Sequence, residues 1–113
     1  MSNLNEVLEV LDSFKVEDVQ HIDVSGASSL FDHMVVCSAR SSQHAKTAAE
    51  RVRYHFKPNF SKIPGSDGEE FGEWIVVDLD DVILHIMLPE QREKYSLEEL
   101  WLELKKISDE TKD

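Results

Sequence analysis

EWIVVDLDDVILHIML, running from Glu73 to Leu88, decides the fold. Two apolar runs flank Asp80-Asp81, and aspartate accepts the left-handed backbone of a two-residue hairpin turn, though less readily than glycine. With those two residues as the turn, Leu79 faces Val82, Val77 faces Leu84 and Ile75 faces Ile86, since side chains in a strand alternate between faces. That face is wholly aliphatic. The other carries Trp74, Val76 and Asp78 against Met87, His85 and Ile83. A sheet face beneath a helix should be uniformly apolar, so the mixed face is expected to be open to solvent and to a partner. The competing reading is that a loop or helix covers Trp74 and Met87. Asp78 and His85 are diagonal neighbours in this register, either hydrogen-bonded to each other or simply polar surface.

Outward from the hairpin, the chain alternates helical and strand periods. Leu4, Val7, Leu8 and Leu11 recur at helical spacing behind Ser2 or Asn3 as cap. Asp18 to Val24 and His33 to Ser38 read as strands around the turn-like Ser25-Gly26-Ala27-Ser28, and the second, nearly all apolar, is expected to be central. Ser41 or Ser42 caps a helix with Ala45, Ala48, Ala49, Val52 and Phe56 on one face, which Pro58 ends. Residues 59–72 are irregular, with a short edge strand near Phe60 to Ile63. Ser96-Leu97-Glu98-Glu99 has the form of a capping box before Leu97, Leu100, Trp101, Leu104 and Ile107, with Ser108 to Asp113 fraying. This order predicts an α/β fold, one mixed β-sheet covered by helices, in a single domain over residues 1–113.

The 113 residues suffice for one hydrophobic core, and 41% hydrophobic with 31% charged residues places the chain among globular proteins rather than disordered ones. Its formal charge of -11 favours basic partners over bare phosphate backbones. No Lys or Arg lies between Lys62 and Arg92, whereas Asp67, Glu69, Glu70, Glu73, Asp78, Asp80, Asp81 and Glu90 do. That interval is either a solvated acidic face or a dock for a basic protein. Lys46, Arg51, Arg53 and Lys57 make the second helix the one clearly basic surface, to be read as solvated helix charge or as an RNA contact. Cys37, the single cysteine, lies in an apolar run and fits a reducing compartment. With no secretory or transit pattern near Met1 and no apolar run of membrane-spanning length, a cytoplasmic location is expected.

Enzyme readings are poorer. Gly65-Ser66 followed by Asp78-Leu79-Asp80 formally matches the glycine-serine and paired-aspartate pattern of metal-dependent nucleotidyltransferases. The glycine-broken stretch from Asp67 to Gly72 does not suit the helix such a site needs, and no cation stands nearby to offset a triphosphate. The five histidines lack metal-ligand spacing, paired cysteines are absent, and no nucleophile turn accompanies the serines, so neither cofactor nor catalytic residue is expected.

SSLFDHMVVCSARSSQHAKTAAERV and DGEEFGEWIVVDLDDVILHIMLPEQREKYSLEELW together resemble the ribosomal silencing factor family, also called RsfS or Iojap. The distinctive pieces are Asp32 before an apolar strand, Ser41-Ser42 with His44, Trp74 leading to Asp78, Asp81 and His85, and Arg92 with Tyr95, Leu97, Glu98, Leu100 and Trp101. The resemblance implies a nucleotidyltransferase-like fold without transferase activity. It also implies binding to the large ribosomal subunit through its protein fourteen, steric block of small-subunit joining, and damped translation under nutrient limitation. On that reading Trp74 and Met87 anchor the partner, Val76 and Ile83 extend the apolar patch, and His85 lies beside them. Asp67, Glu69, Glu70, Asp78, Asp80 and Asp81 form an acidic rim; Lys46, Arg51, Arg53 and Lys57 reach neighbouring RNA. A third reading is a dimeric scaffold in which the free protein uses the same apolar face for self-association, which can coexist with the ribosomal role. Asp80 stands where the family usually has Gly, Asp67-Gly68 replaces Glu-Gly, and Ser38-Ala39-Arg40 replaces the common Thr-Gly.

Overall fold

A computed structural model describes residues 4–25, 31–56, 65–96 and Glu99. Helix α1 (Leu4–Ser13) is followed by strands β1 (Glu17–Asp23) and β2 (His33–Ser38) and helix α2 (Ser42–Phe56). Then come β3 (Ser66–Asp67), β4 (Trp74–Asp78), β5 (Val82–Met87) and the short helix α3 (Pro89–Tyr95). The five strands form one sheet in the order β1-β2-β5-β4-β3. β2 and β5 run parallel and the other neighbours antiparallel, so the sheet is mixed.

The apolar β2 and β5, both in the middle of the sheet, put Val35, Cys37, Val82, Leu84 and Ile86 on one face beside Ile75, Val77 and Leu79, all buried. Over this inner face lie Val7 and Leu11 of α1 and the Ala45, Ala48, Ala49, Val52 and Phe56 stripe of α2, with no exposed atom between them. The three alanines let the α2 backbone sit close to the sheet, and Phe56 fills the space at its far end. Ser41 is the α2 cap: its hydroxyl accepts the His44 amide at 3.1 Å and its carbonyl accepts the Ala45 amide at 3.0 Å. His44 then ties α2 to the end of α1, accepting the Arg40 amide through Nδ1 at 3.0 Å and donating from Nε2 to the Phe14 carbonyl at 2.7 Å.

The hairpin register is the one its alternation predicts: Ile75 opposite Ile86 and Val77 opposite Leu84, with the Leu79 amide donating to Val82 at 2.9 Å. Asp80 has φ 71, in the left-handed region. The Asp78 carboxylate supports that conformation by accepting the Asp80 amide at 3.0 Å. The Asp81 carbonyl accepts the amides of Asp32 and His33 at 2.9 and 3.1 Å, fixing the turn to the start of β2.

Two features depart from the sequence reading and a third adds to it. β1 is bulged between Glu17 and Gln20, where Asp18 has φ 50, so period-two reading fails along its first half. α3 is a helix that periodicity did not predict, opened by a proline at its first turn rather than by a side-chain cap. Ser96, expected to open a helix, also closes α3: it has φ 46, its amide returns to the Arg92 carbonyl at 2.9 Å and its hydroxyl donates to Glu93 at 3.2 Å, while its carbonyl accepts the amide of Glu99, which is again helical, at 3.1 Å. The expected edge strand at Phe60 to Ile63, the Ser2 or Asn3 cap, the turn residues Gly26 to Ser28, Pro58, and, apart from Glu99, the helix from Leu97 onward lie outside the described residues. The edge beside β4 is taken by β3 instead.

Candidate functional site

The second face of the hairpin is built by the same alternation. Trp74 stands opposite Met87, Val76 opposite His85 and Asp78 opposite Ile83. β3 adds Asp67 beside Val76, and β2 adds Met34 and Val36 beside Ile83 and His85. Trp74, Val76, Ile83 and His85 are half-buried and Asp78 is exposed, so five of the six hairpin residues singled out from sequence share an accessible face.

Met87 is the exception. It is fully buried, together with Ile22, Val24, Met34 and Val36, in a second apolar cluster against which Phe31, Trp74 and Ile83 pack. Its place beside Ser38 of β2 and opposite Trp74, one step before α3 begins, closes it off. The expectation of a wholly open outer face is therefore corrected: the β1 and β2 half is a second core, and the open part is the β4 and β5 half.

Trp74 is held by His85 and Tyr95. Its indole N–H donates to His85 Nδ1 at 3.0 Å. Tyr95 of α3, itself 46% exposed, lies against the ring with centroids 4.9 Å apart, and Glu73 beside it accepts a hydrogen bond from Gln91 of α3 at 3.0 Å. The Asp78 carboxylate caps the turn and the His85 imidazole takes the indole N–H. Tyr95 is the contact that hairpin register could not supply. It becomes predictable only once Pro89 is read as a helix start that turns the chain back over β5.

α3 is anchored by Arg92, whose side chain is 8% exposed. It donates to the Asp18 carbonyl and, at 2.9 Å, to Ser38 Oγ, and lies 3.6 Å from the Asp18 carboxylate. The bulge that spoiled the reading of β1 is what presents Asp18 to this arginine. Burial pushes the pKa of the neighbouring Cys37 thiol up to about 12, with the Arg92 charge acting in the other direction, so the thiol stays protonated at neutral pH.

The acidic rim divides. Asp67, Asp78 and Asp80 are exposed along the β3-β4-β5 edge, and Glu70 is exposed in the loop after β3. Asp81 is half-buried under the turn. Glu69 is drawn toward α2, where it pairs with Arg53 at 3.3 Å and accepts the Ser66 hydroxyl. Two glycines shape that loop: Gly68 has φ 94 and leaves no room for a side chain against the Trp74 carbonyl, while a Cβ on Gly72 would lie 2.9 Å from Ser42. α2 carries Lys46, Arg51 and Arg53 on the opposite side of the sheet from Trp74; Arg51 lies over the Phe14 ring at 5.9 Å. Lys57 is outside the described residues. The face thus combines a fixed aromatic centre, aliphatic neighbours and exposed carboxylates, an arrangement suited to gripping a basic surface. No group of three His, Cys, Asp or Glu among the described residues is placed to hold a metal ion.

Comparison with known proteins gives a consistent result. The model of the family described as "Ribosomal silencing factor during starvation" matches residues 1–113. A ribosomal silencing factor of Haemophilus influenzae is 38% identical, covering 89% of this chain and 99% of its own length. One from Chromobacterium violaceum is 39% identical over 83% of this chain and 77% of its own. A crystal structure of a Chromobacterium violaceum protein superposes with a TM-score of 0.81 at 36% identity, covering 89% of this chain and 87% of that one.

Proposed function

This chain belongs to the ribosomal silencing factor family, and we propose on that premise that it binds the large ribosomal subunit through its protein fourteen. Bound there, it blocks joining of the small subunit and represses translation under nutrient limitation. The observation that carries this reading is the accessible outer half of the hairpin. Trp74, fixed by His85 and Tyr95, sits among Val76 and Ile83 with Asp67, Asp78 and Asp80 around them. A rigid aromatic centre loses little freedom on binding, and an acidic border on a chain of net charge -11 speeds encounter with a basic protein. Met87 supports the anchor from beneath rather than touching the partner.

The action is steric and uses no catalytic group; the Asp78 carboxylate, which a nucleotidyltransferase would turn toward a metal, is engaged in the hairpin turn. The same apolar patch joins two copies of the free protein and is given up on ribosome binding. RNA contact falls to Lys46 and Arg51 and involves a different side of the molecule, since α2 covers the inner face.

Sedimentation of purified subunits with the protein tests the reading. Val76→Lys and Asp78→Lys alter side chains that are not fully buried, and each is expected to weaken co-migration with the large subunit about tenfold, roughly 1.4 kcal/mol, and to restore joined ribosomes. Undiminished co-migration in both variants, with folding verified by circular dichroism, would overturn the assignment of this face.

A further inference from the structure

All five histidines of the chain fall among the described residues. Three are engaged away from any other histidine: His44 with Arg40 and Phe14, His85 with Trp74, and His55 with Glu6 at 3.4 Å. The other two meet each other. His21 lies opposite Val35 and Asp23 opposite His33 in the β1-β2 register, which sets His21 and His33 diagonally on one side of adjacent strands. His21 Nε2 is 2.9 Å from His33 Nδ1, with the rings tilted 54° and their centroids 4.9 Å apart.

We propose that His21 and His33 form a two-imidazole chelate for a divalent transition-metal ion of the nickel or copper class, binding across the β1-β2 pair. Imidazole nitrogen suits these ions, which tolerate water in their remaining positions. The nitrogen separation lies nearer to the geometry of these ions than to that of zinc. Two nitrogens 2.9 Å apart, each about 2.1 Å from a metal, subtend roughly 90° there, the angle between neighbouring ligands in an octahedral or tetragonal ion. A tetrahedral zinc ion would need the nitrogens about 3.4 Å apart. In the hydrogen-bonded pair one ring carries its proton on the nitrogen facing the other. On metal binding that proton moves to the ring's second nitrogen, a change of tautomer with no net proton released.

The surroundings favour a cation. Asp23 stands directly across from His33, Asp32 precedes it, and the His33 amide is held by the Asp81 carbonyl at 3.1 Å. One Asp23 oxygen accepts both the Ser25 amide at 3.0 Å and the Ser25 hydroxyl at 2.6 Å, so this carboxylate contributes field rather than a ligand bond. Water completes the coordination sphere. The site clamps an edge strand to the centre of the sheet at a point remote from α3, and it is independent of the ribosomal reading.

Titration of the metal-free protein with nickel chloride, followed by calorimetry and by thermal unfolding, tests this. One nickel per chain is expected, raising the unfolding temperature by linkage. His21→Gln and His33→Gln are each expected to weaken binding on the order of tenfold or more, because either change leaves a single imidazole. His55→Gln should leave affinity unaltered. Equal nickel affinity in the wild type and His21→Gln would overturn the proposal, as would the absence of binding up to millimolar metal.

Discussion

The two faces of the β4-β5 hairpin are made by one pattern of alternating residues and have opposite characters. On the inner face Ile75, Val77, Leu79, Val82, Leu84 and Ile86 are all fully buried under α1 and α2. On the outer face only Met87 of the hairpin is, and Trp74, Val76, Ile83 and His85 keep part of their surface in water. Both arise from the same two strands, so strand propensity does not separate them. What separates them is the cover: two amphipathic helices inside, and a seven-residue helix outside that seals one end. The inner face is where folding energy resides. The outer one keeps just enough packing to fix a tryptophan at the surface.

Truncation should expose this contrast most strongly. Phe56→Ala, at the fully buried end of the α2 stripe, is expected to lower unfolding free energy by about 3 to 5 kcal/mol, read by urea denaturation. Trp74→Ala should cost less, about 1 to 3 kcal/mol, since it removes the Tyr95 contact and the His85 bond from a half-buried ring. It should also weaken large-subunit binding by about 2 kcal/mol or more. Equal stability losses for the two variants would erase the distinction between core and platform.

pH reaches the inner face through Cys37. Its thiol is held at about 12 in the folded chain against an ordinary value of 9.0, so between those pH values the folded state binds more protons than the unfolded one. The stabilisation is complete below pH 9 and is lost as pH rises toward 12, at about 1.4 kcal/mol per pH unit. Comparing wild type with Cys37→Ala at pH 8 and pH 10.5 isolates this slope from the tyrosines and lysines. Parallel behaviour of the two proteins would mean that the thiol is not sealed.

Where the two faces meet, at the turn, the expected effect is smallest and opposite in sign. Asp80 adopts φ 71, a conformation that glycine enters freely and aspartate at some cost. Asp80→Gly should therefore raise stability by about 0.5 to 1 kcal/mol, with the hairpin register unchanged in amide-exchange patterns. A loss of stability would show that aspartate bears no net cost in this left-handed turn.

Much of this was legible in the sequence because the hairpin is regular. Asp80-Asp81 as turn and strict period two leave one register, and the α2 stripe with its serine cap leaves one buried helix face. The bulge at Asp18 was not legible, because the competing pull comes from Arg92, 74 residues away in sequence. Nor was α3, a helix with little apolar periodicity that Leu88 starts without a side-chain cap. Missing α3 hid Tyr95 and the closure around Met87, so the outer face read as more open than it is. The site residues on β4 and β5 follow from alternation alone, whereas the loop carboxylate Glu69 does not: its direction is set by Arg53 on a distant helix.

The bulge in β1 has a consequence for how this molecule can be recognised. β1 forms one edge of the described sheet, and its backbone is broken out of register at Asp18; the opposite edge, β3, is two residues long. Neither offers a straight row of amides and carbonyls on which a foreign strand could continue the sheet. A partner must therefore be read through side chains, with selectivity written in shape and charge, and the same two blunted edges guard against open-ended stacking of copies into fibres.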